Sequence, residues 1–166
     1  MTIRILLTVA LLMPVFALRG TAAADDHQLK TVKEVPGGLS PEIEKLIDAA
    51  GHQIHGEDGA VVELWLLKSL PIKAKFKSSA SQLYPFTPGQ LLGAMRVPKG
   101  AEYTDFRDQD IAPGTYTLRY GLQPEDGNHL GTSDTADFIL ALPAKYDTKP
   151  ATIEDFYELS ERSGKA

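Results

Sequence analysis

The residues best suited to binding chemistry are the four histidines, His27, His52, His55 and His129, and the polar stretch from Gln123 to Thr135. His52-Gln53-Ile54-His55 is the nearest approach to a metal-ligand pair. A spacing of three on a strand sends the two rings to opposite faces, so only a bend would let them share an ion. His129 or Asp126 would then be the third ligand, a donor set that suits Zn²⁺ or Cu²⁺. The 123–135 stretch gathers Glu125, Asp126, Asn128, His129, Ser133 and Asp134 around Gly127 and Gly131. It is longer than a hairpin connection needs, and loops of that kind on a rigid scaffold tend to carry function. Its acids do not follow the twelve-residue calcium spacing. The same residues also make a plain turn at Asp126-Gly127, with Asn128 and His129 bonding the loop backbone. Ser133, His129 and Asp134 are the residue types of a hydrolytic triad, but adjacency in sequence is not the arrangement a triad requires. The chain holds no G-x-S-x-G, H-E-x-x-H, S-x-x-K set or phosphate-binding glycine loop. The expectation is therefore a binding or structural protein, not an enzyme, with Asp126, Asn128 and His129 as ligand contacts. Metal candidates are His52, His55 and His129.

These residues must be positioned by the stretch Ile111 to Leu142, which reads as two strands joined by the polar loop. Tyr116, Leu118, Tyr120 and Leu122 alternate with Thr115, Thr117, Arg119 and Gly121. That period of two puts the first set in a core and the second towards solvent. Phe138, Leu140 and Leu142 share one face of the second strand, and Asp137, Ile139 and Ala141 the other. Pro113-Gly114 suits the centre of a type II turn before the first strand. Tyr116 and Tyr120 are expected to brace the 123–135 loop from below.

The chain begins as an exported one does. Arg4, the 14-residue apolar run Ile5 to Leu18, and Thr21-Ala22-Ala23-Ala24 form a signal peptide with cleavage after Ala24. The apolar run falls short of the roughly 20 residues that span a bilayer. Cleavage removes Arg4 and Arg19 and no acid, moving net charge from −5 to −7. Such a chain is expected to repel nucleic acid and anionic membranes, and no membrane insertion is expected after cleavage. There is no cysteine, so burial alone must hold the fold in a secreted or periplasmic setting.

In order along the chain, residues 25–38 are polar and extended. Ser40, Pro41, Glu42 and Glu44 open a helix that Gly51 stops, burying Ile43, Leu46, Ile47 and Ala50. A short strand at 52–55, a turn at Glu57-Asp58-Gly59 and a central strand at 60–67 follow. Ile72, Ala74 and Phe76 alternate with Lys73, Lys75 and Lys77, the pattern of a lysine-guarded edge strand or of a small anion-binding strip. Leu83, Tyr84 and Phe86 plug the core from a Ser/Pro-rich loop, 90–97 is a strand, and Tyr103 and Phe106 cover an open sheet end. Thr152 with Asp155 caps a last helix whose face is Ile153, Phe156, Tyr157 and Ser160. The expected fold is all-β, an antiparallel β-sandwich with short N-terminal and C-terminal helices. Its parts are a signal peptide at 1–24, a lead-in at 25–38, the sandwich domain at 39–146, and a linker with a short helix at 147–166.

The phrases PGTYTLRYGLQPEDGNHLGTSDTADF, VVELWLLKSLP and LLGAMRVP resemble an uncharacterised family of secreted bacterial proteins, over most of residues 39–142. The resemblance implies export and a β-sandwich, with Asp126-Gly127-Asn128-His129 and Asp137-Phe138 as defining positions. It implies no activity. It also implies relatives that continue past the last helix, with a further strand or docking segment. The P-G-T-Y-T-L phrase is similar to phrases of immunoglobulin-like and transthyretin-like domains. The functional expectation is an exported, non-catalytic binding or structural module whose site is the 123–135 loop and whose partner is a protein or a small polar ligand. No cofactor is expected. The alternative is a small periplasmic protein binding Zn or Cu through His129 with His52 or His55.

Overall fold

Strand formation starts from local pairing. Gly56 and Gly59 flank the two-residue connection Glu57-Asp58, and Gly59 takes the positive φ of 127° that closes a tight hairpin. The computed structural model describes residues 27–105, 107–123 and 135–166. Its strands are β1 (Gln28–Val32), β2 (Gly51–Gly56), β3 (Gly59–Leu66), β4 (Leu91–Val97), β5 (Gly114–Leu122) and β6 (Asp137–Pro143), with helices α1 (Pro41–Glu44) and α2 (Phe156–Ser163). Each strand pairs antiparallel with the next in sequence, giving one open six-stranded sheet in the order β1 to β6. The all-β, antiparallel expectation holds, as do the short helices near either end. The α1 region and residues 144–153 lie against one face, and Ala101, Tyr103 and Ile111 of the β4–β5 connection lie against the other. No helix among the described residues is long and apolar enough to cross a membrane.

Alternation along the strands divides the core in two. On one face Trp65, Leu91 and Ala94 pack with Leu39, Ile43 and Ile47 from the α1 region and with Ala144. On the other, Val62, Met95, Val97, Tyr116 and Leu118 pack beneath Ala101, Tyr103 and Ile111. Val62, Glu63 and Trp65 are all buried, so β3 is the central strand its mixed pattern indicated. Gly51 lets the Trp65 indole lie directly on β2, because a Cβ there would stand 2.2 Å from Nε1.

Several expectations are corrected. Thr117 and Arg119, read as solvent-facing, are buried, because residues 144–153 cross over that face of β5. Arg119 is 0 % exposed and Asp147 1 %. Arg119 uses all five of its N–H groups. Nε and Nη2 donate to the Asp147 carboxylate at 2.6 and 2.8 Å, Nη1 to the carbonyls of Gly89 (2.7 Å) and Ala151 (2.9 Å), and Nη2 also to that of Lys149 (2.7 Å). Thr117 donates its hydroxyl to Asp147 at 2.5 Å. The α1 helix ends at Glu44, well before Gly51, because the backbone of 46–48 turns to bond Leu66 and Lys68 instead. Leu46 and Ala50 are therefore exposed. No strand forms at 72–77, where Lys75 adopts φ 55° and the chain turns back. Asp155, not Thr152, caps α2, accepting from Tyr157 N at 2.8 Å, and Leu159 is the residue it buries. Part of the extended lead-in is β1, an edge strand whose residues are mostly exposed.

A buried ion pair that loses one partner leaves a desolvated charge behind. Arg119→Met and Asp147→Asn should each cost about 3–5 kcal/mol in denaturant unfolding. Arg119→Lys should recover little, since an ammonium cannot reach four acceptor groups spread around a planar fork.

Candidate functional site

Asp126, Asn128 and His129 lie outside the described residues, so the site is approached through the platform that carries them. Its two ends are joined where Gln123 N donates to Ala136 O at 2.8 Å, next to the Leu122–Asp137 pair that closes β5 and β6. Asp137 is the anchor. Its carboxylate accepts from the Tyr120 hydroxyl, from Leu83 N at 2.9 Å and from Tyr84 N at 3.3 Å. Phe86 meets Tyr120 edge-on, with centroids 5.6 Å apart, and stacks on Tyr84. Gln82 donates to the carbonyls of Tyr84 and Phe86, which makes the 79–87 segment a compact lobe strapped to the end of the hairpin. Of the three expected plugs only Phe86 goes inward, while Leu83 and Tyr84 stay exposed. Burial first, and then the bond to Asp137, push the Tyr120 pKa up.

Tyr120 thus bonds Asp137, just beyond the segment, whereas Tyr116 sits at the far end of β5. It lies six residues from Leu122, about 20 Å along the strand at roughly 3.3 Å per residue. Its hydroxyl donates to Ala112 O at 2.5 Å, and the ring is buried in the cluster that Tyr103 and Ile111 of the β4–β5 connection pack against. Phe106 falls outside the described residues.

The histidines occupy the other end of the sheet. The register runs His52 to Leu64 to Met95 to Tyr116, so His52 is level with Tyr116 and three strands away from β5. His52 and His55 take opposite faces. His55 belongs to a polar ladder that crosses four strands. Lys30 Nζ lies 3.3 Å from His55 Nδ1, His55 Nε2 meets Gln53 Oε1, Gln53 Nε2 donates to Glu63, and Arg96 Nε donates to the other Glu63 oxygen. An ammonium only donates, so Nδ1 must accept and the proton sits on Nε2. With both ring nitrogens engaged, His55 would have to leave this ladder to ligate a metal. Glu63, buried at 2 % exposure, is neutralised by Arg96, whose pKa is raised chiefly by that bond. Sequence reasoning missed this ladder; its one visible trace was the acid at an inward position of a central strand.

Two shallow clefts flank the ladder. One of about 310 Å³ lies beside Lys30, His55 and Glu57, and one of about 670 Å³ beside Arg96, Lys99 and Thr115. Glu57 is the one carboxylate that lines either of them, so neither offers the paired acids of a glycosidase or a base beside a nucleophile. Among the described residues no group of three His, Cys, Asp or Glu is placed to hold a metal ion. No family model matches the chain, and comparisons with curated proteins and with solved structures return no significant match.

Asp137→Asn should weaken three hydrogen bonds at once, lowering stability by about 1–3 kcal/mol and speeding proteolysis within 77–82. A tyrosine whose folded pKa is raised contributes stability that is complete below the unfolded value of about 10 and is lost as pH rises through the folded one. Stability should therefore fall on going from pH 9 to 12, and less steeply in Tyr120→Phe. Tyr116, also raised by burial, acts in the same sense in both proteins and cancels in the comparison.

Proposed function

We propose that the chain is an exported, non-catalytic binding or structural module that presents the 123–135 segment to a protein or a small polar ligand through Asp126, Asn128 and His129. The observation that carries this reading is the anchoring of both ends of that segment. Asp137 takes three donors at the start of β6, and the five-fold Arg119 clamp fixes the neighbouring β5 three residues before Leu122. A segment held so firmly at its ends is a fitting place for recognition groups. We also infer that the plan is that of an immunoglobulin-like or transthyretin-like sandwich. Support comes from the antiparallel pairing of six successive strands with apolar clusters at their inward positions. On this reading the described carboxylates at buried positions, Glu63 and Asp147, are structural.

The triple variant Asp126→Ala, Asn128→Ala, His129→Ala tests the assignment. On this proposal it should unfold within about 1 kcal/mol of the parent, the three side chains serving a ligand and not the fold. It should also lose binding to whichever sugar, amino acid or peptide stabilises the parent in a thermal-shift screen. A loss above about 2 kcal/mol would make the three residues part of the fold and end the reading. Metal analysis of untagged protein separates the alternative: stoichiometric zinc or copper that disappears in His129→Ala would replace the present proposal.

A further inference from the structure

The net charge of −5 conceals a strong asymmetry. Between Glu63 and Glu102 the chain has no acid at all, while Lys68, Lys73, Lys75, Lys77, Arg96 and Lys99 fall inside that interval. The lobe at 72–86 carries three of these cations at its surface. Lys73 N donates to Pro85 O at 2.8 Å and Ser79 pairs with Gln82, so the lobe doubles back and sets Ile72 beside the Tyr84–Phe86 limb. Ile72 is 65 % exposed and Tyr84 54 % exposed, beside exposed Lys73, Lys75 and Lys77. Lys73 Nζ reaches Gln82 Oε1 at 3.0 Å. None of the three lysines has an ion-pair partner among the described residues. The acid strapping the lobe down, Asp137, is already taken by three donors.

We propose that this lobe is a docking surface for an anionic lipid bilayer, on which Lys73, Lys75 and Lys77 meet the headgroups while Ile72 and Tyr84 enter the interfacial layer. Two features favour a bilayer over an acidic protein. The cations are all lysines, point charges suited to a diffuse field and not to the planar, bidentate pairing for which arginine is used. Large apolar side chains stand exposed among them, an arrangement that gains from the headgroup boundary, where an aliphatic group and a tyrosine can both be accommodated. The expected repulsion between an acidic chain and an anionic surface is a whole-molecule argument, and it yields within a Debye length to the local field of the lobe. Adsorption of this kind inserts no segment across the bilayer. It is also independent of the 123–135 proposal.

The test is co-sedimentation of the exported chain with vesicles of phosphatidylcholine alone or with 30 % phosphatidylglycerol, a composition chosen to give roughly the surface potential that recruits polybasic segments. Binding should require the anionic lipid and vanish at high salt. Lys73→Gln, Lys75→Gln, Lys77→Gln together should weaken it on the order of a hundredfold, and Ile72→Ser with Tyr84→Ser at least about tenfold. All these positions are exposed, and circular dichroism of each variant checks that the fold is kept. No binding, equal binding to neutral vesicles, or a lysine variant that binds like the parent overturns the proposal. An Ile72/Tyr84 variant that binds like the parent does so too, since it would show a surface that reads charge alone, as a soluble polyanion would.

Discussion

One guanidinium organises the upper half of this sheet. Removing an arginine from water costs several kcal/mol unless every donor finds an acceptor and the charge finds its opposite. Arg119 meets both conditions, and its acceptors come from three separate stretches: Gly89 before β4, Asp147 after β6, and Lys149 and Ala151 beyond it. Satisfying the charge therefore dictates the path of the chain after β6. Asp147 in turn lies 3.7 Å from Arg162 of α2, so the last helix is drawn to the same point. A hydrophobic residue at 119 could bury equal area, but it would not specify which carbonyls pass overhead. In a chain without cysteine, this ionic cluster stands where a cross-link would otherwise fix two distant segments.

The lower half of the same face solves a related problem differently. Glu63 is buried in the central strand, and its partners are Gln53 of β2 and Arg96 of β4, with His55, also of β2, and Lys30 of β1 extending the ladder beyond Gln53. Because hydrogen bonds in the ladder run sideways across the strands, they select the register of the β1–β4 half as well as stabilising it. Two polar systems thus sit on a face whose apolar part is Trp65, Ala94 and the α1 region. The opposite face has the more uniform apolar packing, built from Val62, Met95, Val97, Tyr116 and Leu118.

How much of this could be read from residues alone follows from the range of the interactions. The β2–β3 hairpin, the strand at 90–97 and the β5–β6 pair announce themselves through alternation and turn residues, which are local signals. Ser40 and Pro41 likewise mark the start of α1 correctly. Arg119 was misread because alternation distinguishes two faces without saying that both are dry. The cover comes from residues 144–153, which look like a linker and whose partner carboxylate is 28 positions away. β1 carried no burial signal, being an edge strand. The lysine strip alternates as a strand should, yet it has no neighbour to pair with, and Lys75 turns it into a bend. Near the candidate site, alternation puts Tyr116 and Tyr120 on one face but does not say that they lie at opposite ends of β5, with Tyr120 alone bonded to Asp137.

The order of the strands also governs how the chain can fold as it is released from one end. Since every strand pairs with the one made just before it, pairing can advance in step with emergence, and no early strand waits for a distant mate. Arg119 is the exception. Until Asp147 has followed it out, the charge has no counterion and that side of β5 must remain wet, so the growing sheet stays provisional on one side. Closure of that side of β5 is thereby deferred until Asp147, Lys149 and Ala151 can reach Arg119, which makes it a late event in folding.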